Sequence, residues 1–170
     1  MLPTVDDTRT FGARLATVLR AGDLVLLTGP LGAGKTALVQ GIGAGLRVRG
    51  EITSPTFVIA RVHRPDPDRG GRLPLVHVDA YRLGAAPDPR AEVDDLDLDA
   101  SVDESVTVVE WGDGVAERLA DAHLRVRIDR RDDDHRVVAL QPYGGDWADR
   151  IAALARPAGS VGGPGSGERP

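Results

Sequence analysis

The chain has 170 residues, 41% of them apolar and 28% charged, with 26 acids against 21 bases and a net charge of −5. That length allows one ordinary domain and excludes two full ones, and the apolar share excludes wholesale disorder. The absence of cysteine excludes disulfides, thiolate metal sites and a cysteine nucleophile, and the acidic balance excludes the broad basic footprint of a protein that grips nucleic acid unaided.

Thr4-Val5-Asp6-Asp7 predicts a helix start, with acids placed well for the helix dipole. Phe11, Leu15, Val18 and Leu19 continue it at helical spacing until Ala21-Gly22-Asp23 breaks it. Leu24 to Thr28 is a short continuous apolar run, the pattern of a strand buried on both faces. A glycine-rich turn follows, then a helix through Leu38, Val39, Ile42 and Leu46. Gly41, Gly43 and Gly45 each cost that helix about 1 kcal/mol against alanine, which suggests close packing on a sheet. Thr56 to Val62 and Leu75 to Val78 read as a strand pair around a polar loop, and Val106 to Val109 as another buried strand. Between them lie a proline-rich loop (85–90) and an acidic stretch (92–104). Leu124 to Ile128 and Arg136 to Leu140 alternate around a polar tip and predict an antiparallel hairpin. Trp147 to Leu154 predicts a last helix. Residues 157–170 are mostly glycine, proline and serine, so the expected organisation is one domain over 1–156 and a disordered tail over 157–170. No apolar run reaches membrane-spanning length and the first residues lack a secretion-signal pattern, so no membrane association and a cytoplasmic location are expected.

Of the 21 basic residues only one is a lysine, Lys35, and it falls inside Gly29-Pro30-Leu31-Gly32-Ala33-Gly34-Lys35-Thr36. This fits G-x-x-x-x-G-K-[ST] at every fixed position, between a buried strand and an amphipathic helix. At this chain's own residue frequencies an accidental match arises about once in a thousand such chains. The glycines let backbone N–H groups converge on phosphate oxygens, and the helix N-terminus adds partial positive charge. Lys35 reaches the outer phosphates and the Thr36 hydroxyl ligates Mg2+. The expected fold is therefore an α/β P-loop NTPase-like three-layer sandwich, with a mostly parallel central sheet and a C-terminal antiparallel hairpin.

A second oxygen ligand for the metal belongs at the C-terminal end of another strand. Asp79 and Glu110 each end one, and Ser54-Pro55-Thr56 offers a turn that presents hydroxyls. GTPases are set aside, since guanine-reading N-K-x-D needs an asparagine and a second lysine, and the chain has neither. A small-molecule kinase stays open, with Arg61, Arg64, Arg69 and Arg72 as lid candidates, although a solvated hairpin loop is the favoured reading of them. So does a nucleotide-regulated adaptor whose hydrolysis is incidental. The four histidines show no metal-ligand spacing and read as structural or surface residues, though His77 shares a strand face with Asp79 and Tyr81 at period two and could support a site residue from behind. Asp95-x-Asp97-x-Asp99 fails as a calcium loop, because its sixth position is Ala100 and its twelfth Val106.

Four segments occur in order: Leu31-Gly32-Ala33-Gly34-Lys35-Thr36, Thr53-Ser54-Pro55-Thr56-Phe57, His77-x-Asp79-x-Tyr81-Arg82-Leu83 and Val109-Glu110-Trp111. Together they resemble the bacterial TsaE family, the ATPases of tRNA threonylcarbamoyladenosine biosynthesis, over about residues 8 to 140. The resemblance implies ATP and Mg2+ as cofactors and a TsaB–TsaD-like pair as partner, with tRNA engaged only through that complex. It implies that Thr36 and Glu110 hold the metal, and that Lys35, Asp79 and Thr56 serve hydrolysis. Nucleotide contacts are implied at Thr8, Gly32, Ala33, Gly34, Lys35, Thr36, Ala37, Trp111 and Arg136.

Overall fold

The structure is a computed structural model, and it describes residues 1–54, 60–80, 102–111 and 120–155. The first helix, α1 (Val5–Ala16), opens with a capping box. Thr4 Oγ1 accepts the Asp7 N–H at 3.0 Å and the Asp7 carboxylate accepts the Thr4 N–H at 2.9 Å, a reciprocal cap worth about 1 kcal/mol. The helix stops at Ala16, short of the expected Leu19. There the Thr17 hydroxyl donates to the Arg14 carbonyl at 2.7 Å, and the N–H groups of residues 17 to 19 turn to acceptors three residues back. Tight winding of this kind closes a helix end, so Val18 and Leu19 follow as a turn.

Six strands form one sheet. They are β1 (Leu24–Thr28), β2 (Ala60–His63), β3 (Leu75–Asp79), β4 (Val106–Glu110), β5 (His123–Arg130) and β6 (Arg136–Tyr143), in the order β2-β3-β4-β1-β5-β6. The four inner strands are parallel and both edge strands run antiparallel. The mostly parallel sheet and the C-terminal hairpin are thus as expected, although β5 extends further at both ends and β6 at its C-terminal end.

Every residue of β3 and β4 is buried, as are the first four of β1. One face, with Val25, Leu27, Val108 and Val126, packs against Leu15 of α1 and Leu38 and Ile42 of α2 (Lys35–Leu46). The other, with Leu24, Leu26, Val76, Val78 and Val109, forms a separate apolar cluster. The two-sided burial explains the continuous apolar runs. The proline-rich loop, the acidic run over 92–101, the tail over 157–170 and the helical layer expected on the second face lie outside the described residues. The last helix, α3 (Trp147–Ala155), buries Trp147, and Arg150 ties it to the start of β1 through Asp23 at 2.7 and 2.9 Å.

One expectation needs correcting, and one open alternative closes. The α2 glycines do not serve packing on the sheet. Gly41 faces the Arg9 backbone and Gly45 faces Ala13 and Ala16, so they let α1 and α2 meet backbone to backbone, while Gly43 makes room for Ile52 and Val48. Nor can the arginines between β2 and β3 form a lid. β3 enters the sheet at Leu75 and runs parallel to β1, so the loop with Arg64, Arg69 and Arg72 lies at the sheet end opposite the glycine-rich loop. A five-residue strand, about 16 Å, separates the two ends.

Candidate nucleotide-binding site

The C-terminal end of β4, the glycine-rich loop that follows β1, Ser54, and the starts of α1, α2 and β6 line a cleft of about 340 Å³. β1 delivers the chain into the loop, and Gly34 occupies the N-cap of α2 with φ 109°, a left-handed conformation that favours glycine. A Cβ there would also stand 3.0 Å from Arg136 Nε. Glycine thus leaves the first-turn N–H groups of α2, Thr36 and Ala37 among them, at the mouth of the helix.

Lys35 is only 5% exposed, yet Gly32, Gly34, Lys35 and Thr36 all line the cleft. Its Nζ donates to the carbonyls of Gly29 at 2.8 Å and Pro30 at 2.9 Å, and lies 4.1 Å from the centroid of the Trp111 ring. Burial pulls the ammonium below the usual lysine range, and the nearby Glu110 carboxylate works in the opposite direction. An ammonium already in place and poorly hydrated is suited to a phosphate oxygen.

Asp79 and Glu110 are register partners at the ends of β3 and β4, and Glu110 in turn pairs with Leu27 of β1. Both carboxylates are buried. β4 lies between β3 and β1, so Glu110 adjoins the loop-bearing strand and lines the cleft, while Asp79 sits one strand further out and does not. His77 Nε2 is 2.8 Å from Glu110 Oε1.

Trp111 leaves β4 with φ 61° and its N–H reaches the Leu27 carbonyl at 3.3 Å. It lines the cleft and is 43% exposed, so its emission should respond to a bound Mg–nucleotide. Trp147 is buried under α3 and packed on Arg150, and it does not line the cleft. Titration of Trp111→Phe and Trp147→Phe is expected to show the signal lost only in the first. Loss only in the second would contradict the placement of the nucleotide beside Trp111.

Arg136 begins β6, is buried and lines the cleft, with its Nε lacking a hydrogen-bond partner. Thr8, Ala33 and Ala37 are not brought to the cleft by their side chains. The Thr8 hydroxyl donates back to the Thr4 carbonyl at 3.1 Å, Ala33 belongs to the core, and Ala37 is buried in the first turn of α2. Thr56 lies outside the described residues, as do Pro55, Phe57 and 81–83. Ser54, offered by the sequence as part of a hydroxyl-presenting turn, does line the cleft, and two further lining residues, Val5 and Leu31, carry no assigned role in the sequence. Leu31, 91% exposed at the loop tip, occupies an unrestricted motif position and gave no signal.

The donors present suit a magnesium nucleotide. Thr36 and Glu110 offer two hard oxygens in one cleft, and among the described residues no group of three or more His, Cys, Asp or Glu could hold a metal by itself. Mg2+ keeps waters and phosphate oxygens and needs only one or two protein ligands. The unpartnered Arg136 Nε adds positive charge at the wall that an anion would meet.

Residues 2–138 match the family model for TsaE, described as threonylcarbamoyl adenosine biosynthesis protein. The tRNA threonylcarbamoyladenosine biosynthesis protein TsaE of Streptomyces coelicolor is 56% identical over 144 residues, covering 82% of this chain and 93% of that protein. The TsaE protein of Mycobacterium bovis is 51% identical, covering 84% of this chain and 85% of its own. The crystal structure of Bacillus subtilis YdiB superposes with a TM-score of 0.70 at 27% identity, covering 89% of each chain. The chain belongs to the TsaE family of threonylcarbamoyl adenosine biosynthesis proteins.

Proposed function

We propose that this TsaE-family chain is a Mg2+-dependent ATPase that works with a TsaB–TsaD-like protein pair to support threonylcarbamoyladenosine formation in tRNA. The observation that carries the reading is the meeting of Lys35, Thr36 and Glu110 in one cleft behind a glycine-rich loop. Lys35 and the N–H groups from Gly32 to Ala37 take the phosphates, and Thr36 and Glu110 hold the metal. Bound Mg2+ supplies charge neutralisation between phosphate oxygens. Asp79, one strand from the cleft, serves hydrolysis more than affinity, and Thr56 completes the catalytic set. Trp111, Arg136 and Thr8 bound the nucleotide away from its outer phosphates. Residues 1–156 form the working domain, in a cytoplasmic protein. Among the described residues no helix is long and apolar enough to cross a membrane.

Catalysis here is positioning and electrostatics. The kinase alternative is disfavoured because its candidate lid loop, with Arg64, Arg69 and Arg72, lies at the wrong end of the sheet. A chain of net charge −5 has little with which to hold a phosphate backbone alone. Slow hydrolysis by the isolated protein, stimulation by the TsaB–TsaD-like pair, and tRNA modification only when all are present are expected on reconstitution. Tight, salt-sensitive tRNA binding by this chain alone, seen in fluorescence anisotropy, would overturn the division of labour.

A further inference from the structure

His77 is a costly residue for its position. It lies in the middle of β3, fully buried, with Leu75 before it on the same face of the strand. Its Nδ1 is buried without a hydrogen-bond partner, a penalty that a leucine would not incur. The other ring nitrogen, Nε2, stands 2.8 Å from Glu110 Oε1. An ionised carboxylate oxygen only accepts, so Nε2 carries the hydrogen and donates it. Register explains the reach. His77 pairs with Val108, which places Glu110 on the adjacent diagonal of the same face, within the span of an imidazole.

We infer that His77 is a positioning residue for Glu110. Its Nε2–H occupies one carboxylate oxygen and leaves Oε2 as the oxygen presented to magnesium. Glu110 closes a five-residue strand, and although its side chain is buried, its carboxylate group can still turn about the terminal torsion. A donor fixed in the neighbouring strand removes that freedom before any nucleotide arrives. Hydrogen bonds behind a metal ligand typically set its affinity by 10- to 100-fold. The inference rests on the assignment of Glu110 as a metal ligand, and the test separates the two.

The test is calorimetric titration of ADP at graded Mg2+, and in EDTA, on the full chain. His77→Phe should raise the Mg2+ needed for half-saturation by about 10- to 100-fold and leave metal-free ADP affinity unchanged. His77→Gln, whose amide nitrogen reaches the place of Nε2, should restore the requirement to within about threefold of the parent. A purely structural role would lower the melting temperature of both variants and move neither Mg2+ curve. Should the phenylalanine variant not fold, His77→Asn, polar but too short to reach Glu110, takes its place. An unshifted Mg2+ requirement in His77→Phe or His77→Asn, or no rescue by glutamine, overturns the inference. Glu110→Gln is the control: if it too binds Mg–ADP normally, the metal assignment itself is wrong, and if it alone is impaired, only the role of His77 is.

Discussion

Lys35→Ala is expected to lower ATP turnover by at least about 100-fold while leaving the fold in place. The chain has no other lysine, so no neighbouring ammonium can substitute. The structural cost is small because two effects oppose each other. The variant loses hydrogen bonds to the Gly29 and Pro30 carbonyls and the contact with the Trp111 ring. It also loses a cation that burial disfavours, as the depressed pKa of Lys35 records. Hydrolysis assays paired with thermal unfolding check both halves. Turnover retained at the parental level would remove the loop from the mechanism.

The largest stability effect is expected at Gly41. On an exposed helix a glycine-to-alanine change gains about 1 kcal/mol. Here the sign reverses. A Cβ on Gly41 would collide with the Arg9 carbonyl oxygen and lie 2.8 Å from the Arg9 carbonyl carbon and 2.9 Å from its Cα. Gly12 on the facing helix is as tightly placed, with a Cβ 2.9 Å from the Ile42 nitrogen. Backbone cannot change rotamer, so α1 and α2 must separate and open the apolar layer between them. Gly41→Ala should therefore cost about 3 kcal/mol or more, a large part of the roughly 5–15 kcal/mol that holds such a domain together. Because α2 also carries Lys35 and Thr36, nucleotide affinity should fall with it. Urea unfolding decides the matter, and a variant as stable as its parent would show that the helices do not touch at this point.

The glycine result shows where sequence stops being legible. Periodicity finds the helix over Leu38, Val39, Ile42 and Leu46, and the cost of three glycines within it is plain, but their partner is another helix that only the tertiary arrangement names. The buried strands β1 and β4 and the loop after β1 were readable because two-sided burial and phosphate chemistry restrict residue type position by position. Strand order is not written so locally. The arginines around residue 69 read as a possible lid until the parallel register of β3 puts them at the far end of the sheet. The early end of α1 turned on one hydroxyl, that of Thr17, competing for a carbonyl. In the site, Lys35 and Thr36 are legible from spacing, while the strand ends leave Asp79 and Glu110 both open and only the family resemblance singles out Glu110; the strand face of His77 suggests a supporting place, but not its alignment behind Glu110. A diagonal contact depends on register between strands far apart in sequence, which no local pattern records.

The central place of β1 has a consequence for how the protein is made. Leu24 pairs with Thr107 on one side and Val25 with Leu124 on the other, so both neighbours of the loop-bearing strand are synthesised long after it. The loop itself is seated against β5, since a Cβ on Gly29 would run into the Ile128 carbonyl. A nascent chain leaving the ribosome therefore carries the entire phosphate-binding motif well before it can shape it. Such long-range pairing slows folding, and the motif takes its final shape only after β4 and β5 have joined the sheet.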